Sequence, residues 1–161
     1  MAKLYIFVEG SDDERFFNSY YDPTKIKIIP YATMTTKDIT NYLKSIQSMK
    51  DSDYLFFADA DGASIDDKTE IISKKYPLCE REKIRIVQWE IESWYLAGLD
   101  SLNCAKHKIK YLPHTNDVSK EKFISMLPKG HTRVTFQIEI LKCFNKEEAK
   151  NRNNSFRVFA T

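Results

Sequence analysis

The sequence predicts an α/β protein, in which a central four-stranded, mainly parallel sheet is flanked by helices and followed by a helical C-terminal extension. Over the first hundred residues, four short apolar runs alternate with helical patterns, and this alternation is typical of right-handed βαβ crossovers. After residue 100 the chain is more polar and its pattern is mostly helical. Because 161 residues suffice for one core but are short for two, we predict a single domain over 1–161, with an α/β core at 1–100 and a basic extension at 101–161.

Each predicted element has a local signal. The strands are runs rich in aromatic and β-branched residues and lie at 3–8, 25–31, 53–58 and 83–89. The helices carry apolar residues at three- and four-residue spacing and lie at 12–21, 36–49, 64–76, 90–99, 119–128 and 131–144. Ser11 and Ser64 are the predicted N-caps of the first and third helices. The apolar stripes predicted are Ile39, Tyr42, Leu43, Ile46 and Met49 in the second helix, and Val134, Ile138, Leu141 and either Cys143 or Phe144 in the last.

Composition excludes several classes of protein. With 42% apolar and 30% charged residues, the chain has the make-up of neither a disordered nor a membrane-spanning protein, and no apolar run approaches the roughly 20 residues of a transmembrane helix. The first residues are typical of a strand and lack the apolar core of a secretory signal. The cysteines, Cys79, Cys104 and Cys143, are widely spaced and fit neither a disulfide framework nor a zinc site. We therefore expect a cytoplasmic protein with no membrane partner.

The small net charge of +2 conceals two regions of opposite sign. Residues 1–100 contain 13 basic and 18 acidic side chains, whereas residues 101–161 contain 12 and 5. An acidic first part suits a carboxylate site, and a basic second part suits a surface that attracts polyanions. The basic residues between Lys106 and Lys129 are candidates for contacts with a phosphate backbone, although a solvated surface has the same composition.

Carboxylates follow three of the four predicted strands. Glu9 comes after the first strand, Asp59 and Asp61 after the third, and Glu90 after the fourth. In a parallel sheet the carboxyl ends of the strands share one edge, and ligands gather there. Asp59 and Asp61 are alternate residues of an extended segment, so both carboxylates can face one cation. Mg²⁺ prefers oxygen ligands and needs only one or two carboxylates besides water and substrate phosphate, so this edge is a predicted magnesium site.

Two further acids belong to the same region of the predicted fold. Asp13 falls in the first turn of the helix after Glu9, which returns its carboxylate to the region above that residue, where the helix dipole favours anions. Glu92 flanks the same edge as Glu90. One of the latter two is a candidate metal ligand, and the sequence does not choose between them.

These motifs resemble the TOPRIM domain, a Rossmann-like fold shared by topoisomerases, bacterial-type primases and OLD-type nucleases. Its pattern is a glutamate-glycine after the first strand, here in FVEGSDDERFF, and a D-x-D after the third, here in LFFADADG. The form V-E-G-x-x-D is similar to that of the OLD-type nucleases and of small standalone TOPRIM families. VQWEIESWYLAGLD and NNSFRVFA are similar to the E-x-E-S-W-x-L-A and S-F-R-x-F segments of those small families. The resemblance runs from residue 5 to about residue 159.

The resemblance implies a phosphodiester site that depends on Mg²⁺ or Mn²⁺, and DNA or RNA as the partner. In such a nuclease Glu9 would be a metal ligand or general base, Asp59 and Asp61 would be ligands, and Asp13 would serve a second metal. One or two cations held in this way activate a water and stabilise the leaving oxygen. Standalone TOPRIM proteins are associated with defence or with DNA or RNA processing, and these are the expected roles.

A positively charged side chain is also expected, since phosphoryl transfer develops negative charge. Arg133, in KGHTRVTF, matches the place where the related small families tend to carry a basic residue and is the preferred candidate. Lys129 and Arg157 are weaker candidates. His131, beside Gly130, is interpreted as a cap or surface residue and not as a catalytic base.

Other interpretations stay open. DADGAS approaches the D-x-D-G-T motif of haloacid-dehalogenase-like phosphatases, where the first Asp is a nucleophile and the second an acid/base, but Ala63 stands in place of Thr and the motif follows the third strand. The chain could also be a non-catalytic TOPRIM-like module that binds metal or nucleic acid beside a partner protein. OLD-type nucleases are joined to an ATPase, and because G-x-x-x-x-G-K-[ST] is absent from this sequence, any ATPase partner is expected to be a separate chain.

Overall fold

The computed structural model describes residues 2–161. Within these residues the strands form one parallel sheet in the order β2-β1-β3-β4. Phe7 of β1 lies opposite Ile29 of β2 on one side and Phe56 of β3 on the other. The predicted α/β class is confirmed, and the sheet is parallel throughout. The strands are β1 (Lys3–Val8), β2 (Ile26–Pro30), β3 (Ser52–Asp59) and β4 (Ile84–Val87).

Helices follow each strand and make up most of the chain after β4. A short 3-10 turn, Arg81–Lys83, precedes β4. No helix within residues 2–161 has the length and apolar character needed to cross a membrane. The helices are α1 (Ser11–Tyr20), α2 (Thr36–Gln47), α3 (Ile65–Lys75), α4 (Glu92–Ala97), α5 (Ser101–Lys106), α6 (Lys120–Ser125), α7 (Arg133–Lys142), α8 (Lys146–Arg152) and α9 (Asn154–Ala160).

The chain forms two compact units. The first contains the described residues up to Asp59 together with Ser64–Ile86. The second contains the short segment Ala60–Ala63 and the residues Val87–Thr161. The second unit therefore includes the predicted basic extension, and also the turn after β3 and helix α4.

Aromatic side chains dominate the core of the first unit. The rings of Phe7 and Phe56 stack with centroids 5.3 Å apart, and Phe17 of α1 lies 4.4 Å from Phe57. Such pairs add to the stabilisation that comes from burying apolar area. In α2 the predicted inner stripe is correct for its three central members, Ile39, Leu43 and Ile46, whereas Tyr42 is 39% and Met49 43% exposed. Met49 lies beyond the end of the helix at Gln47.

The helix caps confirm one prediction and correct another. The hydroxyl of Ser64 accepts a hydrogen bond from the Asp67 N–H at the start of α3, as predicted. Ser11 is not the cap of α1, because it is already the first helical residue. Gly10 holds the cap position, and its N–H donates to Oδ2 of Asp13 at 3.0 Å. A carboxylate in the third helical position thus satisfies a backbone donor at the start of the helix.

In the second unit, Arg152 satisfies the backbone carbonyls at the end of α4. Its side chain is buried, and Nη1 donates to the carbonyl oxygens of Leu96, Ala97 and Leu99 at 3.0, 3.0 and 2.7 Å. The guanidinium also lies over the Tyr111 ring, 4.2 Å from its centroid. The last carbonyls of a helix have no partner within the helix, so Arg152 fixes the place where α4 ends.

Helix α7 buries a different stripe from the one predicted. Phe136, Gln137 and Ile140 are fully buried, whereas Ile138 is 42% exposed. The Phe136 ring packs at 5.5 Å from Phe123 of α6. The prediction was wrong because it placed Ile138 at the centre of the buried face. The face that is buried contains the ring of Phe136 and, one turn later, the side chain of Ile140.

Candidate metal centre

The D-x-D motif lies at the end of β3 and in the turn that follows. Asp61 and Gly62 both adopt the left-handed backbone region, with φ of 51° and 88°. Asp tolerates this region better than most residues, and glycine enters it without steric cost. A Cβ added at Gly62 would lie 3.2 Å from Cη2 of Trp89. The glycine of the motif is therefore required both by its backbone angle and by the indole packed against it.

Backbone hydrogen bonds hold this turn beside the segment that carries Glu90. The N–H of Ala60 donates to the carbonyl of Val87 at 2.9 Å, and the N–H of Asp61 donates to the carbonyl of Trp89 at 3.2 Å. Trp89 also has a left-handed backbone, with φ of 63°, which is unusual for a bulky residue and is found at sites that position functional groups. The turn at Trp89 directs the chain from β4 to Glu90.

Three carboxylates come within the reach of one cation. One oxygen from each of Asp59, Asp61 and Glu90 lies within 4.8 Å of the other two. We call these three residues the acidic cluster. Asp59 and Glu90 are half-buried and Asp61 is exposed. Like charges this close repel one another, and more strongly where water is partly excluded. An oxygen-only donor set of this kind fits a hard cation such as Mg²⁺ or Mn²⁺.

Glu90 is further oriented by the backbone of α6. Its Oε1 accepts a hydrogen bond of 3.0 Å from the N–H of Lys120, the first residue of that helix. Among the residues that the structure describes, no group donates to Oε2 of Glu90. One oxygen is thus fixed by the protein while the other stays available to a cation. The sequence did not reveal this contact, because Lys120 lies 30 residues further along the chain.

Tyr31 is a member of the region that sequence reasoning missed. Its hydroxyl donates to the carbonyl of Phe57 at 2.6 Å. Burial raises the pKa of this phenol far above its usual value, and the negative charges of Glu9, Asp59 and Asp13 raise that pKa further. Three predicted acids of the first unit therefore all raise the pKa of the same buried hydroxyl group. The signal in the sequence was its position directly after Pro30, where β2 ends at the carboxyl edge of the sheet.

Glu9 and Asp13 have different surroundings. Glu9 is half-buried directly after β1. Asp13 is 7% exposed, and one of its oxygens accepts the Gly10 N–H described above. Asp13 therefore has a structural task at the start of α1, and its proposed task as a ligand of a second metal stays a prediction.

Glu92 belongs to a separate ion pair. It is 2% exposed, and Oε2 lies 3.8 Å from Nη1 of Arg133 and accepts a hydrogen bond of 3.4 Å from Gln137. A buried carboxylate of this kind is retained only with a cation and hydrogen-bond donors nearby. The structure thus brings Glu90 into the acidic cluster and places Glu92 beside the arginine that was expected to act in catalysis. Metal binding by Glu92 and a catalytic role for Arg133 stay predictions.

The weaker cationic candidates lie elsewhere in the second unit. Arg157 of α9 donates from Nη2 to Oδ1 of Asn154 at 2.8 Å. Lys129 and His131 line a cavity that contains no member of the acidic cluster.

Comparisons of the chain with protein-family models, with curated proteins and with solved structures find no match. The candidate metal centre therefore rests on its own geometry and chemistry alone.

Proposed function

We propose that this protein is a Mg²⁺-dependent phosphodiesterase, a nuclease of TOPRIM type that acts on DNA or RNA, with Mn²⁺ as an alternative metal. The observation that carries the proposal is the acidic cluster, in which oxygens of Asp59, Asp61 and Glu90 lie within 4.8 Å of one another. Carboxylates at such a distance, two of them half-buried and one exposed, repel one another without a cation. The TOPRIM resemblance implies a metal at this same place, at the carboxyl ends of the strands.

Asp59, Asp61 and Glu90 would hold the metal, which would supply Lewis-acid activation of the scissile phosphate and its attacking water. The chain fixes these ligands through its own backbone. The left-handed turn at Asp61 and Gly62 sets the direction of one carboxylate, and the Lys120 N–H fixes Oε1 of Glu90. Such prior placement lowers the cost of ordering the site when substrate arrives.

Glu9 is the proposed general base. Its carboxylate follows β1. Burial raises the pKa of the Tyr31 hydroxyl, and the negative charges of Glu9 and Asp59 raise it further. A carboxylate oxygen of Glu9 would accept the proton of the attacking water. Arg133 is the proposed cation for the phosphate, and Glu92, 3.8 Å from its Nη1, would orient the guanidinium.

The proposed compartment is the cytoplasm, since Cys79, Cys104 and Cys143 are all free thiols. Burial raises the pKa of the Cys79 thiol to about 12, so this group stays protonated and unreactive at neutral pH. The proposed setting is defence or DNA or RNA processing, beside a separate ATPase chain.

Cleavage assays with purified protein test the proposal. The parent and the variants Glu9→Gln, Asp59→Asn and Glu90→Gln are incubated with single- and double-stranded DNA and RNA, in Mg²⁺, Mn²⁺ or EDTA. We expect metal-dependent cleavage by the parent and none by the three variants, while Glu82→Gln, an exposed acid of the 3-10 turn, cleaves like the parent.

Three other results would count against the proposal. Equal cleavage by all variants would exclude the acidic cluster as the site. No cleavage by the parent on any substrate would favour the non-catalytic binding module, and hydrolysis of a small aryl phosphate would favour the phosphatase.

A further inference from the structure

A cavity of about 630 Å³ lies within the second unit, and its walls are basic. It is formed by the end of α5 with the residues after it, and by the residues between α6 and α7. No acidic side chain lines it. We call it the basic pocket, and its charged or titratable lining residues are Lys106, His107, Lys108, Lys110, Lys129 and His131. Its volume is in the range of small-molecule sites, of about 300–1,000 Å³.

Among the residues that the structure describes, the four lysines of the basic pocket have no anionic partner. Lys106, Lys108, Lys110 and Lys129 are all exposed, and none forms an ion pair with another residue of the described chain. Elsewhere lysines do pair, as Lys142 does with Glu139 and Lys83 with Asp53. Clustered cations raise the local concentration of anions, so the pocket attracts negatively charged ligands.

Lys108 is held in a conformation that disfavours lysine. It follows α5 with φ of 57°. Its N–H donates to the carbonyl of Ala105, and the N–H of Ile109 donates to the carbonyl of Cys104, both at 3.0 Å. This pair of bonds is the Schellman motif, whose left-handed position is usually glycine. A lysine in a strained position at the mouth of a pocket is of the kind found at ligand-binding sites.

Two histidines complete the wall. The rings of His107 and His131 meet edge to face, with centroids 5.9 Å apart. Nδ1 of His131 is buried and has no hydrogen-bond partner among the described residues, which is costly for a polar atom. Apolar atoms of Met126 and Pro128 line the same cavity and suit a sugar or base.

We infer that the basic pocket binds the phosphate groups of a nucleotide, either free or within a single-stranded chain. Several lysines and imidazole groups match a phosphate, and the apolar wall suits the sugar and base joined to it. Grooves that bind single strands likewise place positive charge along the phosphates. Where the ligand is a nucleic acid, the pocket would bind the substrate of the proposed nuclease, and this part of the inference rests on the proposed function.

Binding is measured without metal, so that cleavage and metal-bridged contacts are absent. The probe is a short fluorescein-labelled oligo(dT) in EDTA, followed by fluorescence anisotropy. The pocket variant carries Lys108→Gln, Lys110→Gln and Lys129→Gln. The control carries Lys37→Gln, Lys50→Gln and Lys74→Gln, which are exposed lysines of the first unit and change the net charge by the same amount. Circular dichroism and thermal melting of both variants check the fold.

We expect the pocket variant to bind at least about tenfold more weakly and the control within about twofold of the parent. Since each neutralised phosphate of a single strand contributes about 0.7 to the salt slope, loss of three lysines should lower that slope by about 2. Equal weakening by the two variants would overturn the inference, because affinity would then follow net charge alone.

Competition identifies the source of the phosphate. Adenosine monophosphate that binds the parent but not the pocket variant, with oligo(dT) binding unchanged, would assign the pocket to a free nucleotide. Displacement of the probe by polyglutamate as effectively as by unlabelled oligo(dT) would overturn phosphate recognition and favour an acidic protein. A pocket that binds in EDTA while the parent cleaves nothing with metal would support this inference and contradict the nuclease.

Discussion

The acidic cluster and the basic pocket concentrate opposite charges by different structural means. The acidic cluster lies on backbone that follows two strands, and bonds from Ala60 to Val87 and from Asp61 to Trp89 fix its position. The basic pocket is built from helix ends and connecting segments, and its ammonium groups are exposed. Its lysine side chains keep their rotational freedom.

This difference matches the demands of the two proposed ligands. Mg²⁺ requires oxygens close to octahedral geometry, so its ligands are best held on rigid elements. Phosphate groups are attracted by the positive charges gathered around them, and flexible lysine side chains serve this purpose as well as fixed ones. Ligand binding at the acidic cluster should therefore be sensitive to backbone changes, whereas binding at the basic pocket should depend mainly on the number of positive charges in it.

The largest expected effect is a difference in cleavage kinetics between a variant of the acidic cluster and a variant of the basic pocket. Asp61→Asn should lower kcat for cleavage by roughly 10²–10⁴-fold, because a metal contributes several kcal/mol to the transition state and each 1.36 kcal/mol is a factor of ten. The pocket variant should raise KM by about tenfold and leave kcat nearly unchanged, since it weakens ground-state and transition-state binding alike. Steady-state cleavage of an oligonucleotide measures both, and a fall in kcat of equal size in both variants would contradict the distinction.

Two glycine substitutions compare how strongly a backbone change in each region affects the stability of the protein. Gly62→Ala should lower the free energy of unfolding by about 2–3 kcal/mol, because a left-handed alanine costs roughly 1–2 kcal/mol and its Cβ would press on the Trp89 ring at 3.2 Å. Gly130, beside the basic pocket, has φ of 84°, and no heavy atom of the described residues would lie within 4 Å of an added Cβ. Gly130→Ala should therefore lower the free energy of unfolding by only about 1 kcal/mol. Urea denaturation measures the free energy of unfolding of both variants. Equal losses would show that contact with the Trp89 ring adds nothing to the cost at Gly62.

Neutralising one acid should stabilise the protein when metal is absent. Glu90→Gln keeps an oxygen that can accept the Lys120 N–H but removes repulsion from Asp59 and Asp61, for a gain on the order of 1 kcal/mol. Mg²⁺ should raise the Tm of the parent by ligand linkage and leave that of the variant unchanged. Calorimetry with and without Mg²⁺ measures this, with Glu82→Gln as the control. A parent whose Tm is indifferent to Mg²⁺ would show that the cluster does not bind the ion, and a destabilised variant would contradict the expected repulsion.

The smallest expected effect concerns the strained lysine. Lys108→Gly should raise the free energy of unfolding by about 0.5 kcal/mol, since relief of the left-handed strain exceeds the entropy cost of glycine. Binding of oligo(dT) should weaken at the same time. Lys106→Gly, within α5, removes the same charge but should destabilise by about 1 kcal/mol. Chemical denaturation and anisotropy of both variants test whether the lysine is kept for binding at the expense of stability.

The fold could be predicted largely because its signals are local. The apolar run of β3 and the stripe of Ile39, Leu43 and Ile46 follow from spacing of two and of three to four residues, and both are as expected. The strand-end positions of Asp59 and Glu90 follow from the parallel order of the sheet. The parallel direction of the strands is a property of the whole chain, yet alternating strands and helices predict it.

Features that depend on distant contacts could not be predicted. The pairing of Glu92 with Arg133 joins residues of two helices, and no spacing rule connects them. The left-handed turn at Trp89 contradicts the local preference of a bulky residue and is held by its bond to Asp61. The basic pocket joins segments about 20 residues apart, so composition showed its charge but could not show that these lysines share one cavity.

Trp89 gives the protein a tryptophan fluorescence signal beside the acidic cluster. The chain contains two tryptophans, and Trp94 is completely buried in the second unit, where its indole N–H donates to Ser155. Trp89 is partly exposed, covers Gly62 and immediately precedes Glu90. Its fluorescence should therefore change when an ion draws these carboxylates together, against a constant emission from Trp94. The molecule carries a built-in reporter, and metal titrations need no dye.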